Sequence, residues 1–304
     1  MRRPTRIVVF GDVIDDIVVR PLGPVRADTD TPAAIRQQPG GSAANVAAWL
    51  GSLDLAVDFI GRVGVADLDR HERHLARQGV RACLIADDEL PTGTIVVLVD
   101  EQNRRTMLTE RGANIRLTPD DIADETLDGA AAVYFTGYSV FSGDTNADAS
   151  PASFQALIER CVKRGVPVVV DPGSAGFLED FGTDRFLAAV AGASVLLPNL
   201  KEGRALTGLG DPLAVTLRLA ADFLVVALTL GADGIVIAGP GLVPTLVPVM
   251  AVARTDTTGA GDAFSAGFLA CWLDGGDVRS AADAGAALAA RAITIVGGRP
   301  KEPG

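Results

Sequence analysis

Short runs of β-branched and other apolar residues recur along the chain at Ile7–Phe10, Val57–Ile60, Ala131–Phe135, Val166–Val170, Val195–Leu197 and Phe223–Leu228. Runs of this length predict strands buried on both faces. Between most of them apolar residues return at helical spacing, over Ala43–Leu50, Leu68–Gln78, Phe154–Lys163 and Val215–Ala221. Strands alternating with helices predict an α/β fold, a mostly parallel sheet flanked by helices on both faces. Two segments break the rhythm. Residues 16–38 and 93–108 hold extended, alternating patterns with no helix inside them, and Thr94–Val99 and Arg105–Leu108 flank Glu101-Gln102-Asn103 as an antiparallel hairpin. Both excursions, about 16–38 and 93–110, predict one small β-sheet lid on a single domain spanning 1–304. Edge strands of the main sheet are the alternative that the pattern permits. Toward the C-terminus, Gly259–Leu273 and Val278–Ile295 are Ala-rich helical patterns expected to pack on each other, and 299–304 is expected to fray. No internal repeat or low-complexity linker marks a second domain.

With 48% hydrophobic and 21% charged residues, the 304-residue chain can bury a sizeable core and does not have the composition of a disordered protein. Its formal charge of −11 argues against general nucleic-acid binding, which needs a basic surface. A nucleotide substrate stays open, since it needs only a local positive field. Three widely spaced cysteines, Cys83, Cys161 and Cys271, fit thiols in a reducing cytosol better than a disulfide frame. The basic start Met1–Arg6 precedes an apolar run too short for a signal peptide, and no window has the roughly 18–20 apolar residues of a membrane span. The expectation is a cytoplasmic protein with no membrane or nucleic-acid partner.

The most informative stretch is Asp256-Thr257-Thr258-Gly259-Ala260-Gly261-Asp262, running into the apolar helical pattern from Ala263. Free N–H groups and the positive dipole end at a helix N-terminus form an anion site, and Gly259 and Gly261 let the main chain come close. A carboxylate beside an anion hole repels phosphate. Asp262 therefore makes sense as the base that takes a proton from a hydroxyl attacking that phosphate, with the N–H groups of Gly259, Ala260, Gly261 and Asp262 holding the transferring oxygens.

This motif, followed by Ala266-Gly267-Phe268-Leu269, resembles the C-terminal motif of the ribokinase-type (PfkB) carbohydrate kinases. A second element is similar at Gly40-Gly41-Ser42-Ala43-Ala44-Asn45-Val46-Ala47 with Gly64 beyond, although Asp54 stands where the family usually has a small residue. Asn199-Leu200-Lys201-Glu202 looks like the family's Asn-x-x-Glu element, and Thr229-Leu230-Gly231-Ala232-Asp233-Gly234 like its nucleotide-contacting turn. The four elements, in order, span Gly11 to about Gly298.

The resemblance implies a ribokinase-like fold and ATP-dependent phosphorylation of a hydroxyl, a primary one on a small sugar or sugar acid. Asn199 and Glu202 are implied in the metal–phosphate network, with Glu202 holding Mg²⁺ through water. Thr229, Gly231 and Gly234 are implied nucleotide contacts, although a plain hairpin turn explains the glycines as well. Asp256 is implied as a ligand of a monovalent cation, hence K⁺ activation, with a loop-capping aspartate as its other role. Asp16, Gly40, Gly41 and Asn45 are implied acceptor-binding residues, since a polyol needs donors and acceptors converging from different segments. Ribokinases proper carry Asn two residues before the matching Asp, where this chain has Ile14, which points away from ribose. Asp12 and Asp15 either compensate or are solvated acids. Arg104 and Arg105 sit near the lid hairpin, where a guanidinium has the chemistry to grip a substrate carboxylate or phosphate, with ordinary surface cations as the other reading. Asn114 is a further acceptor candidate. Lids of this kind often form the dimer contact in relatives, so a homodimer through the lid is implied.

Other readings are weaker. His71 and His74 lie in Asp-Arg-His-Glu-Arg-His and are expected on a solvated helix face rather than on a metal. No dedicated basic cluster marks a second phosphate, which disfavours a phosphofructokinase, and 5% aromatic residues favour a sugar over a nucleoside acceptor. A nucleoside kinase of the same fold and a non-catalytic sugar or nucleotide sensor remain alternatives. A dehydrogenase needs Gly-x-Gly-x-x-Gly after the first strand, and Gly11-Asp12-Val13-Ile14-Asp15-Asp16 is not one.

Overall fold

The computed structural model describes residues 6–102, 104–142, 149–250, 252 and 255–301. Thirteen strands are assigned there: β1 (Arg6–Phe10), β2 (Ile14–Pro21), β3 (Ala33–Gly40), β4 (Val57–Gly64), β5 (Val80–Asp87), β6 (Thr92–Val99), β7 (Arg105–Gly112), β8 (Ala130–Thr136), β9 (Val168–Asp171), β10 (Val195–Leu196), β11 (Val225–Thr229), β12 (Ile235–Gly239) and β13 (Leu242–Val247). Nine form the main sheet in the order β13-β12-β11-β10-β9-β8-β1-β4-β5. From β11 to β5 every neighbouring pair is parallel, and β12 and β13 close the far edge antiparallel.

Alternation along β1 explains why both faces are covered. Ile7 and Val9 pack with Trp49, Phe268 and Ala282 on one side, while Val8 and Phe10 pack with Phe135, Phe154 and Leu157 on the other. The helices Ser42–Gly51, Ala260–Leu273 and Val278–Ala292 cover the first face, and the last two pack on each other as expected. Asp54, just beyond the helix Ser42–Gly51, takes a left-handed φ of 59°, a conformation an aspartate tolerates in a turn.

The two excursions build a separate four-stranded sheet, β3-β2-β6-β7, and are not edge strands of the body. Here β2 pairs antiparallel with β3 and parallel with β6, and β6 and β7 form the expected hairpin, whose Asn103 lies outside the described residues. β2 follows β1 and β6 follows β5 directly, so the small sheet stands beyond the carboxyl ends of the parallel strands. β1 lies where the strand order reverses, with β8 on one side and β4 on the other, which is where ligands gather in open α/β sheets.

Two expectations are corrected. Arg299 does not fray: it is buried, Trp49 Nε1 donates to Gly298 O at 2.9 Å, and Gln78 Nε2 donates to Pro300 O at 3.2 Å. Those buried donors need acceptors, and this segment supplies them; residues 302–304 lie outside the described part. His71 is not on a solvated face. It shares the inward side of the helix Leu68–Arg77 with Leu75, and its Nε2 lies 3.5 Å from Asp15 Oδ1, while His74 is half-buried. Asp15 is likewise not a solvated acid, because Arg70 grips both its oxygens at 2.7 and 2.6 Å. Among the described residues no helix is long and apolar enough to cross a membrane.

Candidate active site

A cavity of about 830 Å³ opens between the carboxyl ends of the parallel strands and one face of the small sheet. Asp262 lines it from the first turn of the helix Ala260–Leu273, whose N-cap is Gly259. Gly259 has φ 72°, and a Cβ there would fall 2.5 Å from Gly298 O, so the position admits only glycine without backbone movement. Among the described residues the N–H groups of Gly259, Gly261 and Asp262 have no acceptor, whereas Ala260 N–H turns back to Thr257 O at 3.4 Å. The open donors are therefore three rather than the four expected, and Ala260 is absent from the cavity wall.

Ser42 Oγ donates to Asp262 Oδ1 at 2.7 Å and Asn45 Nδ2 donates to Oδ2 at 2.8 Å. Burial pushes the Asp262 carboxyl up from 3.8 to about 7; these two bonds oppose the rise, and the charges of Asp171 and Asp12 add to it. Ser42 and Asn45 come from one helix whose start is fixed by Asp12, which accepts from Ser42 N at 3.0 Å and Ala43 N at 3.3 Å. The chain reaches that start through Gly41 at φ 92°, where a Cβ would sit 2.5 Å from Asp12 O. Asp16 lies on the cavity wall, pushed up to about 7 by burial, with Arg299 opposing the rise. Gly40 is not on the wall; its missing side chain makes room for the Asp16 carboxyl, which a Cβ would meet at 2.4 Å. Asn114 does not face the cavity either. Its amide bridges Val13 N and O and Arg111 O, tying the end of β7 to the segment after β1.

On the opposite side, Asn199 and Glu202 start the helix Leu200–Thr207 as a capping box: Asn199 Oδ1 accepts from Lys201 N and Glu202 N, and Glu202 accepts from Asn199 N at 2.8 Å and Nδ2 at 2.5 Å. Both residues also line the cavity. Burial pushes Glu202 up to about 7 and Asp171 up to about 8, the Glu202 charge adding to the latter. Sequence reasoning missed Asp171, a lone acid whose signal is its place at the carboxyl end of β9. Two buried carboxylates that disfavour each other's charge are a donor set that a hard cation relieves, and a water-shared Mg²⁺ fits it. Thr229 lines the cavity beside Asn199, but Gly231 and Gly234 belong to the turn between β11 and β12, off the wall.

Asp256 Oδ1 accepts from Thr258 N at 2.9 Å, from Thr258 Oγ1 at 2.7 Å and from Arg105 Nη2, while Oδ2 accepts from Gly297 N at 3.1 Å. Both oxygens are engaged and a guanidinium already supplies the positive charge, so this arrangement does not fit a monovalent cation at Asp256. Arg105 accordingly spends its charge on the loop, not on an acceptor. The expectation of no dedicated basic cluster is corrected, because the cavity has a basic wall: Arg20, Arg36, Arg105 and Arg111 converge from β2, β3 and β7. Arg105 and Arg111 share β7 at an even spacing, which keeps them on one face, and the β2–β3 register brings Arg20 and Arg36 to the same face. Arg111 is half-buried at the wall, desolvation holding its pKa below the usual value, and its guanidinium has no hydrogen bond or ion pair among the described residues.

A mostly parallel α/β body carrying a small sheet over an acid-lined anion cradle defines a kinase of ribokinase-like fold. The pfkB family carbohydrate kinase pattern matches residues 4–303, and the chain belongs to that family. It is 32% identical over 285 residues to the ATP-dependent ribose-1-phosphate kinase of Halopiger xanaduensis, covering 91% of this chain and 88% of that one. In fold it is similar to the adenosine kinase of Sinorhizobium meliloti, with a TM-score of 0.85 at 24% identity over 98% of this chain and 96% of the other. The ribokinase of Thermotoga maritima gives a TM-score of 0.79 at 23% identity over 97% and 96%.

Proposed function

We propose that this carbohydrate kinase transfers the terminal phosphoryl group of ATP to a hydroxyl of a small sugar bearing an anionic group, with Asp262 as the general base. The observation that carries the reading is Asp262 itself: a cavity-lining carboxylate, oriented by Ser42 and Asn45, one turn from open amides. Asp262 takes the proton of the attacking hydroxyl, and the N–H groups of Gly259, Gly261 and Asp262 receive the charge that grows on the transferring oxygens. Asp16 and Gly41, with Asn45 behind them, hold the acceptor, and Thr229 and Asn199 meet the nucleotide. Glu202 and Asp171 would hold a Mg²⁺ through water, which would supply positive charge beside the phosphates. An anionic acceptor is supported by Arg111, a half-buried cation on the cavity wall whose guanidinium has no hydrogen bond or ion pair among the described residues, and by the substrate in the name of the Halopiger xanaduensis relative. A nucleoside acceptor is the second reading, favoured by Tyr138 and Phe177 on the cavity wall.

The small sheet acts as a lid, and its outer face supports a dimer. Ile17, Val19, Ile35, Val96, Leu98 and Leu108 share that face by register, with Ile35 64% and Leu108 56% exposed. A second copy covers them; sedimentation equilibrium at micromolar protein checks this, a monomer refuting it. The function is tested by coupled ADP release with Mg²⁺ and ATP over sugar phosphates, sugar acids, free sugars and nucleosides. Turnover is expected with a sugar phosphate or sugar acid. Preference for a neutral sugar overturns the anionic acceptor, and preference for a nucleoside selects the second reading.

A further inference from the structure

Arg299 follows the last helix by several residues, yet it is buried off the cavity wall, against Asn45 and Gly40. Its Nε donates to Asn45 Oδ1 at 3.1 Å and its Nη2 to Gly40 O at 2.7 Å, while Nη1 is buried without a hydrogen-bond partner among the described residues. The acids that feel its charge are Asp16, Asp262, Asp12 and Asp15, in that order. Arg299 is thus a buried cation among four carboxylates, two of which the proposed function uses.

We propose that Arg299 is a positioning residue for phosphoryl transfer: it fixes the Asn45 amide with its NH₂ toward Asp262 and supplies the positive charge that keeps Asp16 and Asp262 ionised. The role rests on the reading of Asp262 as the base. The two ends of an asparagine amide have nearly the same shape, so their partners decide which way it points. A guanidinium can only donate. Facing Arg299 Nε, Asn45 must present Oδ1, which turns Nδ2 to the Asp262 carboxylate. Flipped, the amide would aim its oxygen at that carboxylate and oppose its ionisation. Arg299 therefore transmits its donor-only character through Asn45 to the base.

The charge argument runs in the same direction. The groups facing Asp262 are Asp12 after β1, Asp16 on β2, Asp171 ending β9, Tyr134 on β8, Tyr138 just beyond it, and Arg299. Three of the six are carboxyls and two are phenols that burial keeps neutral, and Arg299 is the cation among them. For Asp16 it is the leading influence against burial. Loss of the cation raises both carboxyls, and a rise of one unit from about 7 cuts the ionised form at pH 7 from about one half to about one tenth.

The test is an aspartate ¹³Cγ NMR titration of the ligand-free protein, wild type against Arg299→Met and Arg299→Lys, with Asp16→Asn and Asp262→Asn assigning the resonances. Arg299→Met is expected to raise the midpoints of Asp16 and Asp262 by about one pH unit or more. Arg299→Lys, which retains the charge but not the Asn45 contact, is expected to keep the Asp16 midpoint near wild type. Unchanged midpoints in folded Arg299→Met overturn the inference. Where that variant does not fold, Arg299→Lys carries the test through the lost Asn45 contact: kcat for ADP release is expected to fall about tenfold at unchanged KM for ATP, the size of one charged hydrogen bond, and wild-type kcat overturns it. Full turnover by Asp262→Asn would sink the base assignment instead, leaving the midpoints to report on Arg299 independently.

Discussion

Replacing Asp262 with asparagine should cripple the reaction and yet stabilise the protein in mild alkali. The side chain keeps its size and Oδ1 still accepts from Ser42 Oγ, but the amide cannot take a proton, so kcat is expected to drop by about 10²–10⁴. Stability moves the other way. Burial sets the folded-state carboxyl at about 7 against 3.8 as the ordinary value. Because the folded pKa is raised, the contribution to stability is fully present below about pH 4 and is lost as pH climbs through about 7. At about 1.4 kcal/mol per pH unit, the loss reaches about 4 kcal/mol in mild alkali. Asparagine does not ionise and escapes it, while forfeiting about 1 kcal/mol for the Asn45 contact, which becomes donor against donor. The net expectation is a gain of about 1–3 kcal/mol at pH 8.5 and a small loss at pH 4. Urea unfolding at the two pH values measures this, and coupled ADP release measures turnover. In the wild type, kcat/KM should climb about tenfold per pH unit below about 7 and level off above it, as required of a base that must be ionised. A variant within tenfold of wild-type kcat, or one less stable than wild type at pH 8.5, would refute the reasoning.

Arg105→Ala should remove the cation that satisfies Asp256 and free the small sheet from the loop before the anion cradle. The expected result is a destabilisation of about 1–3 kcal/mol together with activation by K⁺ that wild type lacks; titrating KCl against tetramethylammonium chloride at constant ionic strength checks it, and strong K⁺ activation of wild type counts against it. Gly259→Ala places a methyl at φ 72° against the Gly298 carbonyl. It should cost at least about 1–2 kcal/mol in thermal unfolding and lower kcat more than the KM for acceptor, because the open amides shift together; Gly261→Ala, whose Cβ meets nothing within 4 Å, is the milder control.

What the sequence made legible was local, and what it hid was convergent. The buried parallel strands announced themselves because both faces are apolar, as in Ile7–Phe10, whereas β5 is an edge strand whose apolar run Ala82–Ala86 is only partly buried beside exposed Arg81, and β13 is broken by Pro244. The glycine-rich loop and its aspartate were legible for the same reason: anion binding by backbone amides is written in consecutive residues. Charge placement is not. Arg20, Arg36 and Arg111 meet across three strands of the small sheet, and only the pairing registers, invisible in composition, bring them to one wall. Asn114 and Gly40 had the right chemistry or spacing for the acceptor but were spent on backbone ties and on room for Asp16. Arg299 is the extreme case. It sits among glycines and prolines with no periodicity, and its meaning resides in a contact with Asn45, 254 residues away. A motif of consecutive residues can thus specify where phosphate is held, while the groups that set the charge state of the base come from segments that meet only after folding. Substitutions that retune such a site should accordingly fall outside the recognisable motifs, on the arginine-bearing strands and the C-terminal segment.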